Sequence, residues 1–422
     1  MEFPLLDPCV HCGFCLPTCA SYRVLGTEMD SPRGRIHSLK ALAAGELELD
    51  ATVASHFDSC LGCFACVSAC PAGVRYDELL AEVRPKLNRS ALRSPRQMQL
   101  RGLLINLLPY PQRLRALLQP FRLYGGSRLQ QLARISGITK LFGPEIAAME
   151  KLLPQLPKGA FGPDPVGLKP AEGEWRARVG LVLGCVQRVF DPEVNAATLA
   201  VLAANGVEVV VPPNQGCCGA VCDHQGQQEQ TANLAAELVQ AFNRAASDKP
   251  LDAILVAASG CGHTLKQYPH LLRGQPQFNA PVLDVHEFLS QLGLSAAFKA
   301  RLKSIPHSEV VFHDACHMIH GQGIRHQPRQ LLEEIPGLKL KEAVEAGVCC
   351  GSAGIYNLVQ PAEAAALGEI KVNDLCATGA TVVASANIGC SLQIRQHMEN
   401  QPQPLKVLHP MQLLAESAGL LG

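Results

Sequence analysis

Two cysteine runs limit this chain more than any other feature of it. CVHCGFCLPTC places Cys9, Cys12, Cys15 and Cys19 in the spacing C-x2-C-x2-C-x3-C, and CLGCFACVSACP repeats it at Cys60, Cys63, Cys66 and Cys70. Three thiolates at such intervals wrap one turn around a 4Fe-4S cubane, while the fourth reaches the neighbouring cluster. The spacing therefore assigns Cys9, Cys12, Cys15 and Cys70 to one cluster and Cys60, Cys63, Cys66 and Cys19 to the other. Paired zinc sites are the alternative, because C-x2-C also suits a tetrahedral ion. Two complete four-cysteine runs favour iron and sulfide. Ala20 stands where the second run has Pro71, a departure that alters no ligand.

Between the runs, RIHSLKALAAGEL carries Ile36, Leu39, Leu42 and Ala43 at helical spacing. This insertion predicts an α-helical ferredoxin domain over residues 1–95, with two cluster loops carried on helices. In SPRGR, Arg33 and Arg35 are candidates to offset cluster charge; a helix-start turn with solvated arginines is the alternative. Residues 98–124 are rich in Leu and Arg but broken by Pro109, Pro111 and Pro120, so no apolar run reaches the roughly 20 residues that span a bilayer. Amphipathic helices packed on the ferredoxin domain are expected here, with a membrane-surface or quinone-side patch as the alternative. Proline and glycine then gather over 153–175, which reads as a linker closing a 96–175 segment.

From about Arg176 the sequence repeats itself. Cys185, Cys217 and Cys261 recur as Cys316, Cys349 and Cys390, at offsets of 131, 132 and 129 residues (316 − 185, 349 − 217, 390 − 261). The middle element is a doublet followed by glycine, Cys217-Cys218-Gly219 and Cys349-Cys350-Gly351. Each copy, 176–300 and 301–422, alternates β-branched runs such as VEVVVPP with helical stretches such as NLAAELVQAFNRA, which predicts α/β units with parallel sheets. Each cysteine group follows the carboxyl end of a strand, where ligands of open α/β sheets collect. One site is expected from Cys185, Cys217, Cys218 and Cys261, another from Cys316, Cys349, Cys350 and Cys390. Adjacent thiolates ligate one small ion poorly, whereas a polynuclear cluster offers them separate irons; zinc and redox thiols are the alternatives. Cys222 and Cys376 are expected to be structural. His313, His317 and His320 flank Cys316 as candidates for metal ligation, proton relay or a hydrogen-bonded core.

With 47% hydrophobic and 18% charged residues, the chain reads as globular. Lys plus Arg equals Asp plus Glu at 37 each, so no global charge points to nucleic acid. MEFPLLDPCV shows neither a basic nor an apolar leader region, so a reducing cytosol is expected, where 18 cysteines suit metal ligation better than disulfides.

The combination of CVHCGFCLPTC, CLGCFACVSACP, DSPRGRI, GCCGAV with ASGCG, and CCGSAG with ANIGC resembles the iron-sulfur subunit of glycolate oxidase, also called glycolate dehydrogenase, over nearly the whole chain. The resemblance implies an electron-transfer subunit of an oxidoreductase complex. Flavin (FAD) subunits oxidise glycolate to glyoxylate, and this chain passes their electrons towards a membrane acceptor, with quinone expected. It also implies two 4Fe-4S clusters on the eight cysteines of the two runs, and a place in the cytoplasm or on the cytoplasmic face of the membrane. The CCG units are shared with heterodisulfide reductases and lactate-utilisation proteins. Heterodisulfide reductases end each unit with a further C-x2-C; here Ala258 and Thr264 flank Cys261, and Asn387 and Gln393 flank Cys390. No strand is followed by G-x-G-x-x-G, the nearest string being GQGIRH from Gly321. Clusters move single electrons, whereas a 2-hydroxy acid must lose a hydride, so the flavin is expected on another chain. A heterodisulfide-reductase-like or lactate-utilisation redox subunit and a zinc-stabilised interaction scaffold are the remaining alternatives.

Overall fold

A computed structural model describes residues 4–90, 92–125 and 127–421. The first part is helical, with Ala20–Leu25, Pro32–Ala44, Ala51–Asp58, Ala65–Ala69 and Tyr76–Arg89 carrying the cysteine loops between them. Ser31 caps the second helix by accepting from the Gly34 amide, and Pro32 fits its first turn, where a missing N–H costs nothing. SPRGR thus starts the helix rather than preceding it. Ile36, Leu39 and Leu42 face a core shared with Phe57, Leu79 and Val83, while Ala43 is exposed, contrary to the periodic pattern.

Nine strands follow among the described residues. β1 (Gly167–Lys169), β2 (Ala177–Val182), β3 (Val207–Val211), β4 (Ala253–Val256) and β5 (Val282–Asp284) form one sheet in the order β1-β3-β2-β4-β5. β6 (Glu309–His313), β7 (Lys339–Lys341), β8 (Val382–Ser385) and β9 (Lys406–Leu408) form the second in the order β7-β6-β8-β9. β4 and β8 are buried throughout, as strands covered on both faces must be. Helix Gln228–Ala245 turns Leu234, Ala235, Leu238, Val239 and Phe242 onto the first sheet at helical spacing.

Three features differ from the sequence-based expectation. The first sheet is mixed, since β1 pairs antiparallel with β3. That strand lies inside the stretch read as a linker; it is exposed along its whole length, which removes the burial signature a strand needs to be visible in sequence. Residues 98–124 pack chiefly on the α/β part and not on the ferredoxin part. Ile105 joins the core of the first repeat, and Leu114 and Leu118 pack on Val189. Their tie to the ferredoxin part is polar, through Arg101 on Asp58, which also holds Arg93. Finally, the two repeats share one core, in which Leu181 and Leu255 join Val310, Phe312 and Val383. Helix Pro410–Ser417 at the end of the second repeat packs on Pro192–Ala204 of the first.

The chain leaves β2 towards β3 and returns on its other side as β4, and leaves β6 towards β7 and returns as β8, making a switch point between β2 and β4 and another between β6 and β8. A crevice opens at the carboxyl ends of such strands. These ends face each other: the Ser259 amide donates to the Ala386 carbonyl at 3.0 Å, and the Gly260 amide to Asn387 Oδ1 at 3.1 Å.

Candidate metal centres and the chamber between them

In the ferredoxin part, Cys70 lines the same small cavity as Cys9, Cys12 and Cys15, and Cys19 lines a second with Cys60 and Cys63; Cys66 and Tyr76 border both. This is the arrangement that exchanged fourth cysteines require. The two arginines take different roles. Arg33 lies at the surface on Glu28, 2.6 Å away. Arg35 is fully buried beside Cys19 and Cys60. Its Nε donates to the His56 carbonyl at 2.6 Å and its Nη2 to Ser59 Oγ at 2.8 Å, while Nη1 has no protein partner. Asp30 stands 3.6 Å from Nη2 as one anionic neighbour, and the idle Nη1 leaves a donor for a further anion among the cysteines.

The α/β part gathers its cysteines in two groups. Cys185 and Cys217 bring their sulfurs to 3.1 Å, and Cys218 links Cys217 to Cys261. In the second repeat Cys316, Cys349, Cys350 and Cys390 form the corresponding chain. The neighbouring sulfur and burial push Cys185 and Cys316 well above the ordinary thiol value. Sulfurs gathered this closely are a donor set that suits a soft metal, whose binding releases their protons. Each group has one buried positive neighbour that sequence inspection overlooked. Arg188 lies beside Cys185, bonded from Nε to the Gly184 carbonyl at 2.8 Å. Lys371, fully buried, lies near Cys349 and Cys350 and donates to the Glu345 carbonyl at 2.6 Å. Lys371 occupies the apolar stripe of helix Pro361–Ala377 with Leu367 and Leu375, a placement that could have flagged it.

Gly219 and Gly351 both take left-handed backbone, with φ of 82° and 88°. A side chain at Gly351 would meet the Ala364 carbonyl oxygen at 2.7 Å. Gly351→Ala is therefore expected to cost about 1–3 kcal/mol, seen as a lower urea midpoint, and to reduce metal retention.

The three histidines separate. His317 Nε2 donates to the Gly62 carbonyl at 3.0 Å and its ring stacks on Phe64. His320 bonds Ser68 at 2.8 Å. His313 points into the second cysteine group, near Cys350 and Cys390. Cys222 is fully buried, its thiol pushed up to about 12 by burial, and Cys376 rests its sulfur 3.8 Å from that of Met398. The second repeat also touches the ferredoxin part. Cys63 and Leu61 share a cluster of apolar contacts with Cys349 and Tyr356, and the Tyr356 hydroxyl donates to the Ser59 carbonyl at 3.2 Å. The linker does not isolate the second cysteine group from the N-terminal one.

Both cysteine groups of the α/β part open onto one cavity of about 660 Å³. Its other wall is apolar, supplied by Leu104, Leu108, Leu114 and Leu118, and its rim includes the exposed Leu103, Leu117 and Phe121. The sequence offers a quinone-side patch in residues 98–124 only as the alternative to packed helices, because the wall reads as ordinary core leucine until the fold leaves space beside it.

A helical dicluster unit followed by facing CCG units is the architecture of an iron–sulfur electron-transfer protein. Family models match accordingly: a 4Fe-4S dicluster domain over residues 5–74, the linker region of the glycolate oxidase iron-sulfur subunit over 96–153, and the cysteine-rich CCG domain over 179–266 and 310–395. The probable glycolate oxidase iron-sulfur subunit of Bacillus subtilis (strain 168) is 35% identical over 97% of this chain and 94% of its own length. The glycolate oxidase iron-sulfur subunit of Escherichia coli (strain K12) is 31% identical over 92% and 90%. The lactate utilization protein A of Halalkalibacterium halodurans is 28% identical over 56% of this chain and 96% of its own. The chain belongs to the family of glycolate oxidase iron-sulfur subunits, and iron–sulfur clusters are its cofactors.

Proposed function

We propose that this chain takes electrons from flavin-bearing partner subunits that oxidise glycolate to glyoxylate, and delivers them to quinone in the chamber between its two CCG units. The observation that carries the reading is the position of that chamber: cysteine groups on one wall, leucines on the other, and an apolar rim. When bound, iron–sulfur clusters supply one-electron steps. Oxidation of one glycolate releases two electrons and two protons, and one quinone consumes the same number to become quinol. In this reading Cys9, Cys12, Cys15 and Cys70 hold one cluster, Cys19, Cys60, Cys63 and Cys66 the second, and the two CCG groups hold further centres. The contact between Cys63 and Cys316 supports a route from the ferredoxin part into the second repeat.

No helix among the described residues is long and apolar enough to cross a membrane. A lipid-borne acceptor must then be met at the surface. Leu123, Ile135 and Leu141 are each more than 80% exposed in the same segment that forms the rim, and this face is proposed to rest on the bilayer.

The test uses the complete complex. Leu108→Trp places a larger ring in the chamber wall without touching a cysteine. Glycolate-driven quinone reduction is expected to fall at least about tenfold, the equivalent of about 1.4 kcal/mol, while glycolate-driven reduction of a water-soluble dye is unchanged. Equal loss with both acceptors, or no loss with either, would place the quinone site elsewhere.

A further inference from the structure

The two CCG groups are offered different donors. Three residues before the first cysteine of each repeat, Val182 ends β2 whereas His313 ends β6. His313 is only 2% exposed, and neither of its ring nitrogens has a hydrogen-bond partner among the described residues. Burying an imidazole with both nitrogens idle is unfavourable unless something absent from the polypeptide engages one of them. The surroundings say what that is. A ring nitrogen of His313 and the sulfurs of Cys350 and Cys390 lie within 4.8 Å of one another, the only such three-residue grouping among the described residues. His317, the other histidine beside Cys316, has its Nε2 committed to the Gly62 carbonyl.

We propose that His313 is a nitrogen ligand of the iron–sulfur centre in the second repeat, joining Cys316, Cys349, Cys350 and Cys390. The proposal rests on reading the CCG cysteines as cluster ligands, but not on the identity of the acceptor. Its chemistry is simple. Imidazole is a good ligand for iron and brings no negative charge, whereas the corresponding place in the first repeat is filled by an alkyl group. The second centre then carries five protein donors against four. Because His313 is neutral and adds to the four thiolates without replacing one, it leaves the charge of the centre unchanged. The duplicated fold would thus hold two unequal centres, with the histidine-bearing one next to the ferredoxin part.

The experiment is pulsed EPR for nitrogen hyperfine coupling on the full chain, purified anaerobically and partly reduced. The second-repeat signal is identified as the one missing in Cys390→Ser. In the native chain that signal is expected to show a strongly coupled nitrogen, and growth on 15N-histidine should rescale the coupling by the isotope ratio. This arm needs no substitution and so does not depend on a variant folding. His313→Ala is expected to abolish the coupling, with the ferredoxin signals retained. Absence of histidine nitrogen coupling from the native signal would overturn the proposal, as would coupling that persists in His313→Ala or a second repeat that holds no paramagnetic centre. Loss of quinone reduction plays no part in the readout, so failure here and failure of the acceptor assignment are distinguishable.

Discussion

Removal of the clusters by oxidation and chelation is expected to unfold the N-terminal part while the α/β part stays folded. Residues 8–19 contain turns but no helix or strand, and Cys12 is exposed. Nothing in the polypeptide fixes the first loop except its neighbours and whatever its sulfurs hold. Where a small unit is organised by metal, binding free energy is folding free energy, on the order of 10 kcal/mol for structural thiolate sites. The shared core of the two repeats is far larger than the apolar cluster under the N-terminal helices and is close-packed without metal. Hydrogen exchange should therefore show amides of residues 20–89 exchanging at unfolded-chain rates after cluster loss, with those of β2, β4, β6 and β8 still protected. Protection retained in both parts would mean that the helices stand without metal.

Cys350→Ser is expected to have the second large effect. Serine keeps the volume but replaces a soft thiolate by a hydroxyl that ligates iron poorly. Left in a site that is 2% exposed, an unpaired hydroxyl costs about 1–3 kcal/mol. Loss of second-shell support alone typically lowers metal affinity 10–100-fold, so loss of a ligand should slow electron delivery to the external acceptor by at least about 100-fold. The disturbance should also reach the ferredoxin part. Cys349 packs with Leu61 and Cys63, so the EPR lineshape of the cluster nearest Cys60 and Cys63 is expected to change, whereas that of the cluster nearest Cys9 and Cys12 is not. The corresponding Cys218→Ser lacks that contact and should leave both lineshapes intact.

What could be read in advance followed local chemistry. Cysteine spacing announced the dicluster domain, because the reach of a short loop is set by its length. Offsets near 130 residues announced the duplication, and the β-branched run VEVVVPP announced β3. Features that depend on what lies opposite were not legible. β1 is three exposed residues whose only signature is its pairing with β3. Residues 98–124 showed leucine periodicity, but periodicity gives a face and not its partner, and the partner proved to be the first repeat. Arg33 and Arg35 are two residues apart and equally basic; only the fold sends one to Glu28 and buries the other beside Cys19 and Cys60. The proline-rich stretch suggested independent units, yet contacts across more than 250 residues of sequence, such as His317 on Gly62, bring them together.

Iron and zinc are to be counted per chain, after anaerobic purification, in the native protein and in the double variant Cys217→Ser with Cys350→Ser. Two ferredoxin clusters account for about eight irons. On the reading that the CCG cysteines hold iron–sulfur centres along their wall of the chamber, iron is expected clearly above that number in the native chain, falling to about eight in the double variant, with no change in zinc. A native count of about eight with nothing lost on substitution, or zinc as the metal that disappears, would contradict it.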